Sequence, residues 1–192
     1  MTIKTNLSAA LLAAGLASAG AAYADDMSYT YVEGGYLMTD IDNVNVDGDG
    51  LGIAASAALN EMFFVFGDYA TQEFDNNIDY DQFQLGLGGH WPITEVLDVV
   101  GTVSYVDAEL DAGPANADDS GFGLGLGLRG RLTDVVELEG GINYYDLDDA
   151  GDDTQFNVGG RYYFTPAFAV GAGVQMGDDF TTWKISARYE FR

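Results

Sequence analysis

The residues able to do chemistry are few, and the chain sorts them. His90 is the single histidine and there is no cysteine. A multi-histidine metal centre, a Cys–zinc site, a thiol nucleophile and a disulfide framework are therefore excluded. His90 stands before Trp91-Pro92, with Glu95 and Asp98 downstream. A His–acid pair could in principle move a proton. No Gly-x-Ser-x-Gly elbow accompanies it, and the Gly-Leu-Gly-Leu-Gly run at 123–127 does not open a helix as a phosphate loop would. We read His90 as a satisfied structural histidine and expect no enzyme. Carboxylates are the abundant group, with 31 Asp+Glu against 7 Lys+Arg and a net charge of −24. Clustered carboxylates can hold Ca²⁺ or Mg²⁺. The candidates are weak: Asp47 and Asp49, in a calcium-loop fragment that lacks its bidentate Glu, and Asp152 and Asp153. A solvated acidic surface is the plainer reading, and no resident metal or cofactor is expected. The acid excess also removes nucleic acid as a partner, because phosphate contacts need Lys and Arg.

Eleven charged residues stand apart from these acid clusters: Glu33, Asp68, Asp98, Arg129, Arg131, Glu137, Glu139, Arg161, Lys184, Arg188 and Glu190. Each lies inside a run in which apolar residues alternate with small or polar ones, and each falls on the non-apolar face. In Phe122–Leu132 one face is Phe122, Leu124, Leu126, Leu128 and Leu132, and the other is Gly123, Gly125, Gly127, Arg129 and Arg131. A period of two is the signature of a β-strand.

Stepping through the chain with this period gives ten strands, near 28–39, 49–59, 62–72, 80–91, 96–107, 120–132, 135–146, 154–164, 168–177 and 181–191. Short turns alternate with longer acidic connections at 40–48, 73–79, 108–119, 147–153 and 178–180. The prolines, Pro92, Pro114 and Pro166, all fall in connections, where no ladder hydrogen bond is lost. Hairpins repeating about every 35 residues read as an all-β, antiparallel up-and-down barrel of ten strands, eight being the alternative. Ahead of it, residues 1–24 carry Lys4, an Ala/Leu-rich stretch and Ala22-Tyr23-Ala24 before Asp25-Asp26. That is the pattern of a cleaved signal peptide, which leaves 25–192 as the barrel domain.

Alternation does not say which face is outside. A soluble exported barrel would bury the apolar face and could hold an apolar ligand. A transmembrane barrel would turn it to lipid. The aromatics favour the second arrangement. On the apolar face Tyr69, Phe83, Tyr105, Phe122, Tyr144, Phe156 and Trp183 lie toward the longer connections. Phe63, Trp91, Phe164, Phe168, Tyr189 and Phe191 lie toward the short turns. Two belts around an aliphatic band match two membrane interfaces. The eleven charges keep off the same face, where Arg or Lys near mid-bilayer would cost about 2–4 kcal/mol.

The N-terminal segment, the first strand Ser28-Tyr29-Thr30-Tyr31-Val32-Glu33-Gly34-Gly35-Tyr36 and the ending Tyr189-Glu190-Phe191 resemble the small OmpA-like outer-membrane β-barrel family of Gram-negative bacteria. The resemblance implies an outer-membrane location with both termini periplasmic. It also implies contact with lipid and lipopolysaccharide, and recognition of the last strand by the barrel-assembly machinery. Lys184, Ser186, Tyr189 and Phe191 align loosely with the family's C-terminal assembly signal, with Ser186 in place of the usual glycine and Arg192 beyond the aromatic. For the lumen two arrangements are open: a closed ion-pair network that plugs it, and a narrow water-filled pore of mixed charge. We take the first, with a structural or surface-interaction role, and keep a narrow porin as the alternative.

Overall fold

The computed structural model describes residues 27–42, 46–75, 78–113 and 116–191. The signal-peptide segment 1–24, Pro114 and Arg192 lie outside them. Ten strands follow one another: β1 Tyr31–Ile41, β2 Val46–Ala58, β3 Phe63–Phe74, β4 Ile78–Thr94, β5 Leu97–Asp111, β6 Asn116–Thr133, β7 Val136–Leu147, β8 Gly151–Thr165, β9 Phe168–Met176 and β10 Phe180–Glu190. Each pairs antiparallel with its neighbours in sequence. β1 and β10 close the ring, in register from Tyr31 opposite Glu190 to Ile41 opposite Phe180. The count is ten, not eight. Closure leaves no open edge, which a lipid-exposed sheet cannot tolerate.

Ring closure alone does not fix the hairpins at the short-turn end; a recurring side-chain device does. Asn60 Oδ1 accepts from the amides of Met62 and Phe63 at 2.9 and 3.0 Å. Thr133 Oγ1 accepts from Val135 and Val136 at 3.3 and 3.0 Å. Thr165 Oγ1 accepts from Phe168 N at 3.0 Å, and Thr94 Oγ1 from Val96 N at 3.3 Å. An Asn or Thr at a turn start offers the backbone an acceptor that mimics a carbonyl, so the chain reverses within two to four residues.

At the other end the strands run further than their apolar pattern. The connections expected at 73–79, 108–119 and 147–153 are largely wall: β4 begins at Ile78, β5 ends at Asp111, β6 begins at Asn116 and β8 begins at Gly151. The reason is that ladder hydrogen bonds do not require an apolar outer face. Above the lipid most acids of these segments face water, Asp119 and Asp153 being buried, and Ile41, Phe74, Tyr80, Leu110, Leu147 and Phe180 pack inward as one buried cluster.

The sidedness is unambiguous. Leu124, Leu126 and Ile185 are 48, 64 and 54% exposed on the outer wall, whereas Arg129 and Glu137 are fully buried inside. A soluble barrel with an apolar interior for a ligand is thereby overturned. Inward glycines make room for the lumen's side chains. A Cβ on Gly125 would come within 2.3 Å of Thr102 Oγ1 and 2.7 Å of Asn143 Oδ1. A Cβ on Gly88 would lie 2.0 Å from the Phe64 ring, which covers that glycine.

Candidate functional site

Among the described residues buried charge converges in the lumen, which is built in tiers. At the short-turn end the floor is aromatic. Tyr29, just before β1, stacks on Phe64 of β3 at 4.5 Å and on His90 of β4 at 4.0 Å between ring centroids. Phe66 and Val100 complete this buried cluster. His90 Nδ1 lies 3.3 Å from Asp98 Oδ2, with both side chains essentially inaccessible.

Above the floor lies an ion-pair network. Arg129 Nη2 is 2.7 Å from Glu137 and 3.4 Å from Glu190. Arg161 is the hub, with Glu139 at 2.6 Å, Glu137 at 2.9 Å and Glu33 at 3.3 Å. Glu33 also receives Lys184 at 2.5 Å and Arg188 at 2.7 Å. Tyr163 lies between two carboxylates, its hydroxyl donating to Glu190 at 2.6 Å with Glu137 the alternative acceptor at 3.1 Å. Two guanidinium planes lie over rings: Arg131 on Tyr163 at 3.9 Å and Arg188 on Tyr31 at 3.7 Å. Taking such ions from water is expensive, and their pairing offsets that desolvation only when geometry is good. Alternating signs on adjacent strands bring it about, since β6, β8 and β10 supply the bases and β1 and β7 most of the acids.

Higher still, uncharged polar groups pair. Thr39 donates to Gln72 at 2.7 Å and shares a 2.8 Å contact with Thr182. Gln84 donates to Ser104 at 2.7 Å, Gln175 donates to Gln155, and Tyr80 donates to Gln82 at 2.7 Å. The apolar cluster around Phe74, Tyr80, Leu110 and Phe180 caps the stack.

Eight of the eleven sequence-derived charges thus form one connected network. Of the other three, Arg131 rests on Tyr163, Asp98 pairs with His90, and among the described residues no ion pair reaches Asp68, which is opposite Ala54 and Gln84. Only some partners stand directly across the ladder, as Glu33 with Arg188 and Glu137 with Arg161 do. Arg129 is opposite Asp98 and Glu139, yet its guanidinium reaches Glu137. Sequence reading passed over the aromatics on the lumen side. Their signal was present in Phe63-Phe64-Val65-Phe66, where both faces of one strand carry rings.

Of the belt residues, Phe63, Tyr69, Phe83, Trp91, Tyr105, Phe122, Phe156, Phe164, Phe168, Trp183, Tyr189 and Phe191 are exposed on the outer wall, and Tyr144 is half-buried there. Three tyrosines toward the acidic end donate to rim carboxylates: Tyr69 to Asp81 at 2.5 Å, Tyr36 to Asp49 at 2.6 Å and Tyr105 to Asp107 at 3.0 Å. The four cation-site candidates do not converge. Asp47 and Asp49 face outward on β2, and Asp152 faces outward on β8, with β1, β10 and β9 between. Asp153 turns inward to accept from Gln155 at 3.0 Å and from Asp178 N at 3.3 Å.

A polar, ion-paired interior inside an apolar, aromatic-belted wall is the inverse of a soluble protein. The model of the outer membrane protein beta-barrel domain matches residues 9–164. The chain belongs to that family. No curated protein matches the sequence. Among solved structures, the KdgM porin in complex with disordered oligogalacturonate superposes with a TM-score of 0.50 at 12% identity, covering 84% of this chain and 99% of that one. The beta domain of the Bordetella autotransporter BrkA gives 0.51 at 10% identity, covering 87% and 100%. At such identities the likeness is one of fold. Membership of the family assigns the wall to the outer membrane, so the exposed leucines and isoleucines face acyl chains.

Proposed function

We propose that this barrel is non-conducting, its lumen serving as a folded core and its acidic rim as a surface presented outside the cell. The role is then structural or one of surface interaction, without catalysis. The observation that carries the reading is tiered filling: an aromatic floor, an ion-pair network, an amide layer and an apolar cap, buried apart from the partly accessible Glu139 and Lys184. Small barrels hold little beyond their own side chains. Two lumenal voids are only about 20 and 30 Å³, room for roughly one or two waters each. In this reading lipid and lipopolysaccharide cover the outer wall, and β10 is the strand offered to the assembly machinery. The peptide ending at Ala24 is removed on export, which mass spectrometry of the membrane-extracted protein checks by its N-terminal residue.

A narrow porin for small solutes is the second reading. It draws on the fold shared with the KdgM porin and on the fact that the two voids share Glu139 and Asn157 in their linings. Planar-bilayer recording on purified protein separates the two. Absence of steady single-channel current supports the filled lumen, and reproducible unitary currents establish the porin.

A further inference from the structure

We propose that residues 27–30 are a stopper: a strap that leaves the wall and seats Tyr29 in the periplasmic mouth, able to withdraw without opening the barrel. The inference rests on the closed-lumen reading for what lies behind the mouth, and adds to it a moving part.

Thr30 is the last residue held by the wall. Its Oγ1 accepts from Ala58 N at 3.1 Å and its carbonyl from Phe191 N at 2.8 Å. Upstream the chain bends inward, and one hydroxyl fixes the bend. Ser28 Oγ accepts from Thr30 N at 3.1 Å and lies 3.1 Å from the Phe191 carbonyl, to which it donates. From there the strap crosses the mouth. Tyr29 passes β2 to stack on rings of β3 and β4. The Ser28 carbonyl is 3.5 Å from Arg129 Nη1, on β6, the strand diametrically opposite β1 in the ring. Met27 and Tyr29 are 6 and 1% exposed, the burial of a core and not of a chain end.

Two features make this a stopper and not simply more core. First, withdrawal breaks no ladder hydrogen bond, because the ladder begins at Tyr31. Second, the Tyr29 hydroxyl is buried with no hydrogen-bond partner among the described residues. Ring stacking and apolar burial seat the side chain, while its hydroxyl would regain water on leaving. A phenylalanine would sit there more tightly. The tyrosine keeps the seated and withdrawn states closer in free energy, as a displaceable plug requires. Withdrawal would uncover Phe64, His90 and Val100.

The test exploits a chain without cysteine. Val100→Cys puts a single thiol behind the Tyr29 ring, and the full-length barrel in detergent or vesicles is treated with a charged, membrane-impermeant methanethiosulfonate. Labelling of a buried thiol reports the opening equilibrium of whatever covers it. With the stopper native, V100C reacts slowly. Adding Tyr29→Ser speeds the reaction at least about tenfold, the scale set by losing a buried, stacked ring. Adding Tyr29→Phe leaves it slow or slows it further. Ser28→Ala, which keeps the ring and frees the bend, gives a smaller acceleration and serves if the Tyr29→Ser barrel does not fold, folding being read by heat-modifiable gel mobility. Rapid labelling of V100C alone overturns the proposal, as does an unchanged rate in folded Ser28→Ala or Tyr29→Ser barrels. Bilayer current on the parent protein reads the closed-lumen reading separately. Current with slow labelling defeats only that reading, and silence with rapid labelling defeats only the stopper.

Discussion

On β5, Val103 and Tyr105 face outward and Ser104 inward; further along the same strand Asp107, Glu109 and Asp111 face outward, with Ala108 and Leu110 buried inside. The membrane band and the crown above it share one continuous ladder and carry opposite binary patterns. In the band the apolar side faces lipid and the lumen holds the charge. In the crown most acids face water, Asp119 and Asp153 excepted, and the interior is built on Ile41, Phe74, Tyr80, Leu110, Leu147 and Phe180. The backbone is indifferent to the switch, since hydrogen bonding within the ladder is the same in both solvents. The solvent outside the wall selects which side chains point out. The charges of the two regions differ accordingly. Band charges are paired, some across adjacent strands and some, such as Arg161 with Glu33 and Arg129 with Glu190, across the lumen. Crown acids stand directly opposite one another, Asp81 with Glu109, Glu109 with Asp118 and Asp79 with Asp111, an arrangement that opposes folding by a fraction of a kcal/mol per pair.

The comparison breaks most sharply at Arg161. Arg161→Ala leaves Glu33, Glu137 and Glu139 without their shared cation in a buried site. The expected loss is about 3–5 kcal/mol, measured as the denaturant midpoint of the refolded barrel in lipid vesicles. Asp111→Ala in the crown is expected to change the same midpoint hardly at all, or to raise it. Equal losses at the two sites would mean that the lumen ions contribute no more than surface charges do.

Next in size is an outward substitution at two heights. Leu126→Arg places a charge in the lipid-facing band and is expected to destabilise by about 2–4 kcal/mol in bilayers. Glu109→Arg, outward in the crown, relieves two like-charge neighbours, Asp81 and Asp118. It should stabilise by about 0.2–1 kcal/mol, the more so at low salt. Were both substitutions neutral in vesicles, the assignment of lipid to one height and water to the other would fail.

The crown's own core is the third point of comparison. Leu110→Ala removes a fully buried side chain from that cluster. About 2–5 kcal/mol is expected, the range for truncating a buried leucine. Hydrogen exchange should localise it: amides of 106–111 and their β4 and β6 partners lose protection while those near Arg161 keep theirs. Loss of protection throughout the barrel would show that crown and band unfold as one unit.

How much of this was legible in the sequence follows from the same inversion. Ten strands could be read because outward apolar residues recur at every second position through the band. Strand ends at the crown could not, although Val106-Asp107-Ala108-Glu109-Leu110-Asp111 alternates just as regularly. There the apolar residues move from odd to even positions, and a change of phase in an acid-rich stretch looks like the end of a strand. The charges were assigned to the lumen by the same period of two, and opposite signs on neighbouring strands were readable, but the individual pairs were readable only in part. An Arg side chain spans more than one ladder step, so stagger and length decide that Arg129 meets Glu137. Tyr29 was misplaced for a further reason: alternation puts it in the first strand, but the ladder begins at Tyr31, and its stack depends on β3 and β4 standing where the closed ring puts them.

The smallest expected effect lies at the boundary between the two regions. Tyr69 sits on the outer wall where lipid gives way to water, and its hydroxyl donates to Asp81 at 2.5 Å. Tyr36 with Asp49 and Tyr105 with Asp107 repeat the arrangement two strands away on either side. Each ring ends the apolar band and each carboxylate begins the crown, so the bond joins the two patterns at one height. Being largely exposed, a single such bond contributes at most about 0.5–1 kcal/mol. Tyr69→Phe should therefore barely move the denaturant midpoint in vesicles, while the triple change Tyr36→Phe, Tyr69→Phe and Tyr105→Phe should move it measurably and raise the rim's sensitivity to salt. The rings alone keep the wall at the interface, because their amphipathic preference for that depth survives loss of one hydroxyl in part. If the triple variant instead matched the parent in both midpoint and salt response, the tyrosine–carboxylate contacts would be incidental to where the band ends, and the rings and acids would mark that height independently.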